Sequence, residues 1–563
     1  MKNKLLTGFI VSVWIIIFNS SCQKKMDDAY LNPNAQTVEP VESLLSGPIG
    51  SFIANASSTS VSGGIAGDGL VIGRYIQYWG DFNGQSSANV RYDEMGGPDF
   101  TSATLATIWN GFYFGQGQNV NRIIQWGSEQ EKWDYVGAAW AIRAWGWLEL
   151  ANEYADGIIV KEAFDASRQQ FDYNPQSDGY DACRAACYNA LFFLSRTDGK
   201  VSPTNFAIGD AYFYKGDVNK WKKFVYGILA RSFAYLSNKS NYISDHLADS
   251  TIKYCDLAMT SNDDNATVKF AGNTNVTGTL NYFGPTRGNV GSLRQSAYIV
   301  NLMTGQNSKA FTDVSDPRVW YFLRANRSGT FKGIIPWLGN AGTGFTTSTT
   351  DPNFPPNPWG NTTAPQSTSP PAADSGRYLY RNTAEFPIMT ASEMQFLKAE
   401  AALRKNDKAT AYAAYKNAIS LNFDMLSTNY NTNVPATYVI TPSSKAAFMA
   451  NTAVVPGSAS ELTLTHIMLQ KYIALFGWGM HETWVDMRRF HYTDIDPATN
   501  KQVYADFTPP ASPYLWQNNG ADGKYVYRVK PQNNEYIYDI PALTAIGALS
   551  LDYHTKECWF SQP

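Results

Sequence analysis

Apolar residues recur at helical spacing through a long succession of segments, and this pattern predicts a mostly α-helical protein. Helices are predicted at about 101–125, 131–154, 177–194, 218–236 and 252–259. Two later pairs follow, 391–404 with 409–420 and 462–476 with 482–490. Trp133, Trp140 and Trp147 recur every seven residues, with Val136 and Ala144 between them. Such a stripe reads as a face turned to the core rather than as a platform for sugar rings. Antiparallel pairs at spacings near 34 residues suggest tetratricopeptide-like units, although that consensus is poorly met. The stretches 261–294 and 326–385 are dense in Gly, Pro, Ser and Thr, cannot be helical and read as loops. A short β-hairpin is expected near 525–538. No linker divides the chain, so 41–563 is taken as one unit.

Within the helical pattern the run 470–490 stands apart, because its apolar face carries Glu482, Asp486, Arg488 and Arg489 at one-turn spacing. Trp484, Met487 and Arg488 share a helix face, since residues three and four apart are neighbours. The expectation is a half-buried ion network that locks one helix to the next, because buried charges are normally paired. Upstream, Thr390 or Ser392 can cap a helix whose first turn holds Glu393. Phe396, Leu397, Glu400 and Leu403 then fall at helical spacing.

Together the two segments resemble the most recognisable helices of the SusD/RagB family of Bacteroidetes surface lipoproteins. Other pieces follow in order: Trp109, Asn110 and Tyr113, with Asn119 and Asn121 before Ile123 and Ile124; the turn from Tyr154 to Ala163; Gly216 and Asp217; Trp221 to Phe224 with Arg231; and Asp316, Pro317 and Arg318. The likeness covers nearly all of the chain after its leader. It implies a superhelix of helix pairs on one side and irregular loops on the other. It further implies a lid over a SusC-like TonB-dependent transporter barrel, to which a captured oligosaccharide is delivered. RagB-like members suggest an alternative, a peptide ligand.

At the N-terminus, Lys2 and Lys4 precede an apolar run from Leu5 to Phe18, followed by Ser20, Ser21 and Cys22. This arrangement describes a secretory signal peptide over 1–21, too short to span a bilayer. A cysteine at the exit makes it a lipoprotein signal with Cys22 as the lipidated residue, although Asn19 stands where an aliphatic residue is usual. The polar stretch 22–40 reads as a tether. Asp27 and Asp28 resemble a short surface-export signal. An outer-membrane, surface-exposed lipoprotein is the expected location.

Composition removes several function classes. The chain has 563 residues, 44% apolar and 14% aromatic, with a net charge of −3. Without Lys2 and Lys4, 43 basic residues against 48 acidic ones leave −5. A mildly acidic chain without a basic run offers no electrostatic footprint for nucleic acid. Cys183, Cys187, Cys255 and Cys558 are too scattered for a disulfide framework or a metal motif. Cys183 and Cys187, one turn apart, read as small apolar side chains on a buried face.

No catalytic residue, metal site or cofactor is predicted. His481-Glu482 lacks the second histidine of a zinc pair, and no Walker loop, Rossmann fingerprint or Gly-x-Ser-x-Gly elbow occurs. Two carboxylates a few ångströms apart suffice for a glycosidase, so that reading stays as a lesser alternative. Sugar recognition needs flat aromatic faces with amides and carboxylates around them, and aromatics on loops are the better candidates. One cluster runs from Tyr75 to Asn83 with Arg91 and Tyr92 beyond it. Others are Tyr282 with Phe283, and Trp337, Asn340, Trp359 and Asn361; Tyr514, Trp516 and Asn518 form a weaker one. The ligand-binding set is Tyr78, Trp79, Asn83, Tyr282, Trp337 and Trp359. The alternative for each aromatic is that it packs its own loop onto the core.

Overall fold

The computed structural model describes residues 39–52, 64–83, 107–165, 167–345, 351–364, 366–371, 375–510 and 524–563. The leader 1–21, Cys22, tether residues 23–38, Arg91, Tyr92, 346–350, Tyr514, Trp516 and Asn518 lie outside the described residues.

The expected helical layer is present. Its members are α1 (Gly64–Tyr75), α2 (Thr107–Tyr113), α3 (Gln116–Glu129), α4 (Trp133–Tyr154), α5 (Gln176–Leu194), α6 (Val218–Ala234) and α7 (Leu247–Leu257). Further along the chain are α8 (Ala297–Thr304), α9 (Ala391–Arg404), α10 (Lys408–Asn429), α11 (Leu464–Ala474) and α12 (Met480–Arg489). Side-chain caps fix several starts by satisfying amides that a helix leaves open. Asp217 accepts from the amides of Asn219 and Lys220, Thr390 from Glu393, and Asp407 from Thr410.

The packing is sequential: α3 on α4, α4 on α5, α5 on α6, α6 on α7, α7 on α9, and α9 on both α10 and α11. Helix α12 returns across α1 and α4, closing the layer against the chain's early part. The connections between paired helices can be long; residues 155–175 join α4 to α5.

Short strands fasten the loops to this layer. Strand β1 (Trp79–Asp81) pairs antiparallel with β3 (Leu293–Gln295), and β2 (Ala266–Val268) with β4 (Phe386–Met389). Strand β4, which includes Pro387, ends directly before Thr390, the cap of α9.

Four expectations are corrected. The predicted helix 101–125 is two, α2 and α3, because Gly115 takes a non-helical ψ of −119° between them. Helix α7 starts earlier than 252, after His246 in the left-handed region at φ 57°. Helix α10 runs on to Asn429, beyond the expected end at 420. The hairpin near 525–538 does not form. Tyr527 and Val529 donate instead to the carbonyls of His554 and Glu153, and Glu535–Tyr538 makes a helical turn.

Candidate functional site

The polar run on α11 and α12 is interior scaffold. Arg231 Nε lies 2.7 Å from Glu393 Oε1 and its Nη1 2.7 Å from Glu482 Oε1, so one guanidinium on α6 ties α9 to α12. Arg489 Nη1 lies 2.6 Å from Glu400, and Lys471 Nζ 2.7 Å from Asp486. Arg488 donates to the carbonyls of Asn152 and Tyr527 at 2.6 and 2.8 Å, with its guanidinium 3.5 Å over the Trp484 ring. All these charges are buried.

Their electrostatics divide by partner. Burial opposes ionisation of Glu400, but Arg489 outweighs it and holds the carboxyl well below the usual range. At Glu482 burial wins over Arg231, and the carboxyl rises to about 7. Burial pushes His481 down to about 3, so its imidazole is neutral at physiological pH. Cys183 and Cys187 are buried free thiols, as expected.

The predicted aromatics divide as well. Tyr78 is fully buried, its hydroxyl donating to the Tyr472 carbonyl at 2.8 Å beside Thr483 Oγ1. Trp79 is 2% exposed; its indole N–H donates to the Leu70 carbonyl at 2.9 Å, and its ring fills the space over Gly73, where a Cβ would come within 2.3 Å of the indole. Trp359 is fully buried, donating to the Phe283 carbonyl at 2.9 Å. These three expectations are corrected: the rings pin loops to the core and present no face for a sugar.

Tyr282, Trp337 and Asn83 remain at the surface. Tyr282 is half-buried under Arg287, its hydroxyl close to Gly67 on α1. Asn83 is exposed at the end of β1, where its amide donates to Asp81.

Trp337 is half-buried and lines a depression of about 280 Å³. The turn carrying it is held locally: Leu338 and Gly339 both donate to the Ile335 carbonyl, and Ile335 donates to Thr343 Oγ1. Ile334 bonds Gln295 and Ala297, which fixes the turn to β3 and the start of α8. Helix α8 contributes Tyr298 and Asn301 to the wall, and the chain just past its end adds Asn307 and Ser308.

Gln77 and the segment Asp506–Thr508 complete the rim, joined where Gln77 Nε2 donates to the Thr508 carbonyl at 2.9 Å. Gln77, Asn307 and Asp506 all have positive φ, at 62°, 56° and 67°. Non-glycine residues of this kind carry a backbone cost that tends to collect at functional places. Lys309 donates its amide to Asp506 Oδ2 at 2.6 Å and so orients the carboxylate. Asn340, on the Trp337 turn, is 4% exposed, and neither side-chain amide atom has a hydrogen-bond partner among the described residues.

The structure thus brings Trp337 together with residues that the sequence had not singled out. Asn301, Asn307 and Asp506 stand up to about 200 residues from one another in the chain, and no local pattern shows that they converge. Tyr282 lies toward the opposite end of α1 from this depression, outside its lining.

A family model described as starch-binding and associating with the outer membrane, of the SusD-like type, matches residues 41–511. The chain belongs to the SusD-like family. Solved structures of SusD-like proteins share the fold. A SusD/RagB family protein from Bacteroides thetaiotaomicron is 22% identical with a TM-score of 0.66, over 93% of this chain and 99% of that one. A chitin-binding SusD homolog from Flavobacterium johnsoniae is 17% identical with a TM-score of 0.65, over 92% and 98%. A SusD homolog from Bacteroides fragilis is 18% identical with a TM-score of 0.63, over 93% and 100%. No curated protein matches the chain. Among the described residues, no helix is long and apolar enough to cross a membrane.

Proposed function

We propose that this SusD-like protein is a surface lipoprotein that captures an oligosaccharide and delivers it to a SusC-like TonB-dependent transporter. Its parts are a signal peptide at 1–21, a tether at 22–40 lipidated on Cys22, and a binding unit at 41–563. Family membership supports the class of function and the outer-membrane setting.

One observation carries the choice of ligand. The depression at Trp337 sets a half-exposed indole against amides and hydroxyls, which is how a mostly uncharged polyol is held. Among the described residues the depression contains one carboxylate, Asp506, where glycoside hydrolysis needs two flanking the bond. Glu393, Glu400, Glu482 and Asp486 are instead buried in ion pairs away from solvent. Binding without turnover is therefore the better reading.

Calorimetry against a panel of neutral oligosaccharides, including starch- and chitin-derived ones, tests this reading. Binding with little dependence on salt is expected, because no charge is neutralised. Binding of peptide mixtures with no affinity for any glycan overturns it. For the anchor, a Cys22→Ala protein is expected to leave the membrane fraction; retention on whole cells contradicts the lipid attachment.

A further inference from the structure

We propose that the depression beside Trp337 is an end-on subsite for a single uncharged sugar ring, and that Asp506 makes it reject chains that end in an acidic sugar. The inference rests on the capture reading and narrows its ligand.

Size is the first argument. At about 280 Å³ the depression falls just under the usual range for small-molecule pockets, about 300–1,000 Å³. It has room for one ring, and further rings of a longer chain extend outward over the loop face.

The second argument is the inventory of unspent groups. The side-chain amides of Asn301 and Asn307 make no hydrogen bond among the described residues. Gln77 uses its NH₂ on Thr508, which leaves its carbonyl oxygen as an acceptor. Asp506 uses Oδ2 on the Lys309 amide and keeps Oδ1. The rim therefore offers both donors and acceptors, which sugar hydroxyls can satisfy because each both donates and accepts. The bonds of Gln77 to Thr508 and of Asp506 to the Lys309 amide hold these two side chains before any ligand arrives, which lowers the ordering cost of binding.

The third argument is charge. Among the described residues of the lining Asp506 is the only charged side chain, and none is Lys, Arg or His. Lys309 gives Asp506 its backbone amide while the residue itself is exposed. A uronic acid entering here sets a second carboxylate beside Asp506, with no cation among the described lining residues to separate them. Like charges brought together out of bulk water disfavour one another's ionised form, so the acidic ring binds poorly.

The test uses the full mature chain and two probes: the best neutral oligosaccharide of the panel, and the same oligosaccharide capped with a terminal uronic acid. Wild-type protein is expected to prefer the neutral probe by about tenfold or more. In Asp506→Asn that ratio shrinks toward one, since Asn tolerates the left-handed backbone and can still accept from the Lys309 amide. The ratio compares two ligands on one protein, so a change in overall stability does not imitate the result. Trp337→Ala is expected to weaken the neutral probe by about tenfold. An unchanged ratio in Asp506→Asn, or undiminished neutral binding in Trp337→Ala, overturns the subsite while leaving capture elsewhere on the face intact. Failure of the wild type to bind any member of the panel overturns both readings.

Discussion

Helix α12 and the turn at Trp337 treat their polar groups in opposite ways. On α12 each charge is buried and spent on a partner: Glu482 on Arg231, Asp486 on Lys471, and Arg489 on Glu400. Around Trp337 the polar groups are mostly neutral, reachable and partly unspent. The difference teaches that buried, paired charge marks the framework here, while a sparse, mostly neutral rim marks the place proposed to receive a ligand. A buried ion network makes no offer to solvent; breaking it is costly because the surviving partner is left uncompensated.

The largest effect is expected on the framework side. Arg231→Met strips Glu393 and Glu482 of their shared cation and is expected to cost about 3–5 kcal/mol, read as a lowered denaturation midpoint. A midpoint near wild type would show that the network is not what joins α6, α9 and α12.

The two tryptophans sharpen the contrast next. Trp359→Ala removes a fully buried ring and is expected to cost about 3–5 kcal/mol of stability. Trp337→Ala, at a half-buried position, is expected to cost about 1 kcal/mol or less in thermal unfolding while losing glycan affinity. If the pair behaves alike in unfolding, the division between pinning and binding aromatics fails.

Acid–base behaviour offers a smaller effect. Asp68 is fully buried, where it accepts from the Thr107 and Ile108 amides at the start of α2, and burial lifts its carboxyl from 3.8 to about 7. Between those values the folded protein binds more proton than the unfolded chain, so this group makes stability fall as pH rises. Asp68→Asn is expected to flatten that part of the melting-midpoint profile. Glu400 acts in the opposite sense: its depressed pKa gives stability that is present above 4.5 and lost as pH falls below it.

The smallest effect belongs to His491, half-buried between Asp494 and Glu557. Asp494 leads in raising its pKa to about 9, against an opposing effect of burial and with help from Glu557. Its stabilisation is complete below 6.5 and fades as pH climbs through 9, so His491→Gln is expected to remove a shallow alkaline decline in midpoint.

Much of the framework was legible in the sequence because helical periodicity is local. The span Ala391–Arg404 was read to the residue, and the ion network followed from charges at one-turn spacing on an apolar face. The breaks that were missed arise from single positions, such as Gly115 and His246, whose backbone angles depart from the surrounding pattern. The candidate site was legible only at Trp337. Whether a loop indole lies inside or outside depends on distant partners: Trp359 finds the Phe283 carbonyl, whereas Trp337 sits on a turn held to β3 and α8. Asn301, Asn307 and Asp506 were missed for the same reason, since their significance lies in convergence rather than in local spacing.

The most direct measurement is the structure of the protein with a bound neutral oligosaccharide. A ring stacked on Trp337, with hydroxyls on Asn301, Asn307 and Asp506, is the predicted result. An oligosaccharide seated in the α12 region, or on the loop face away from Trp337, would contradict the account.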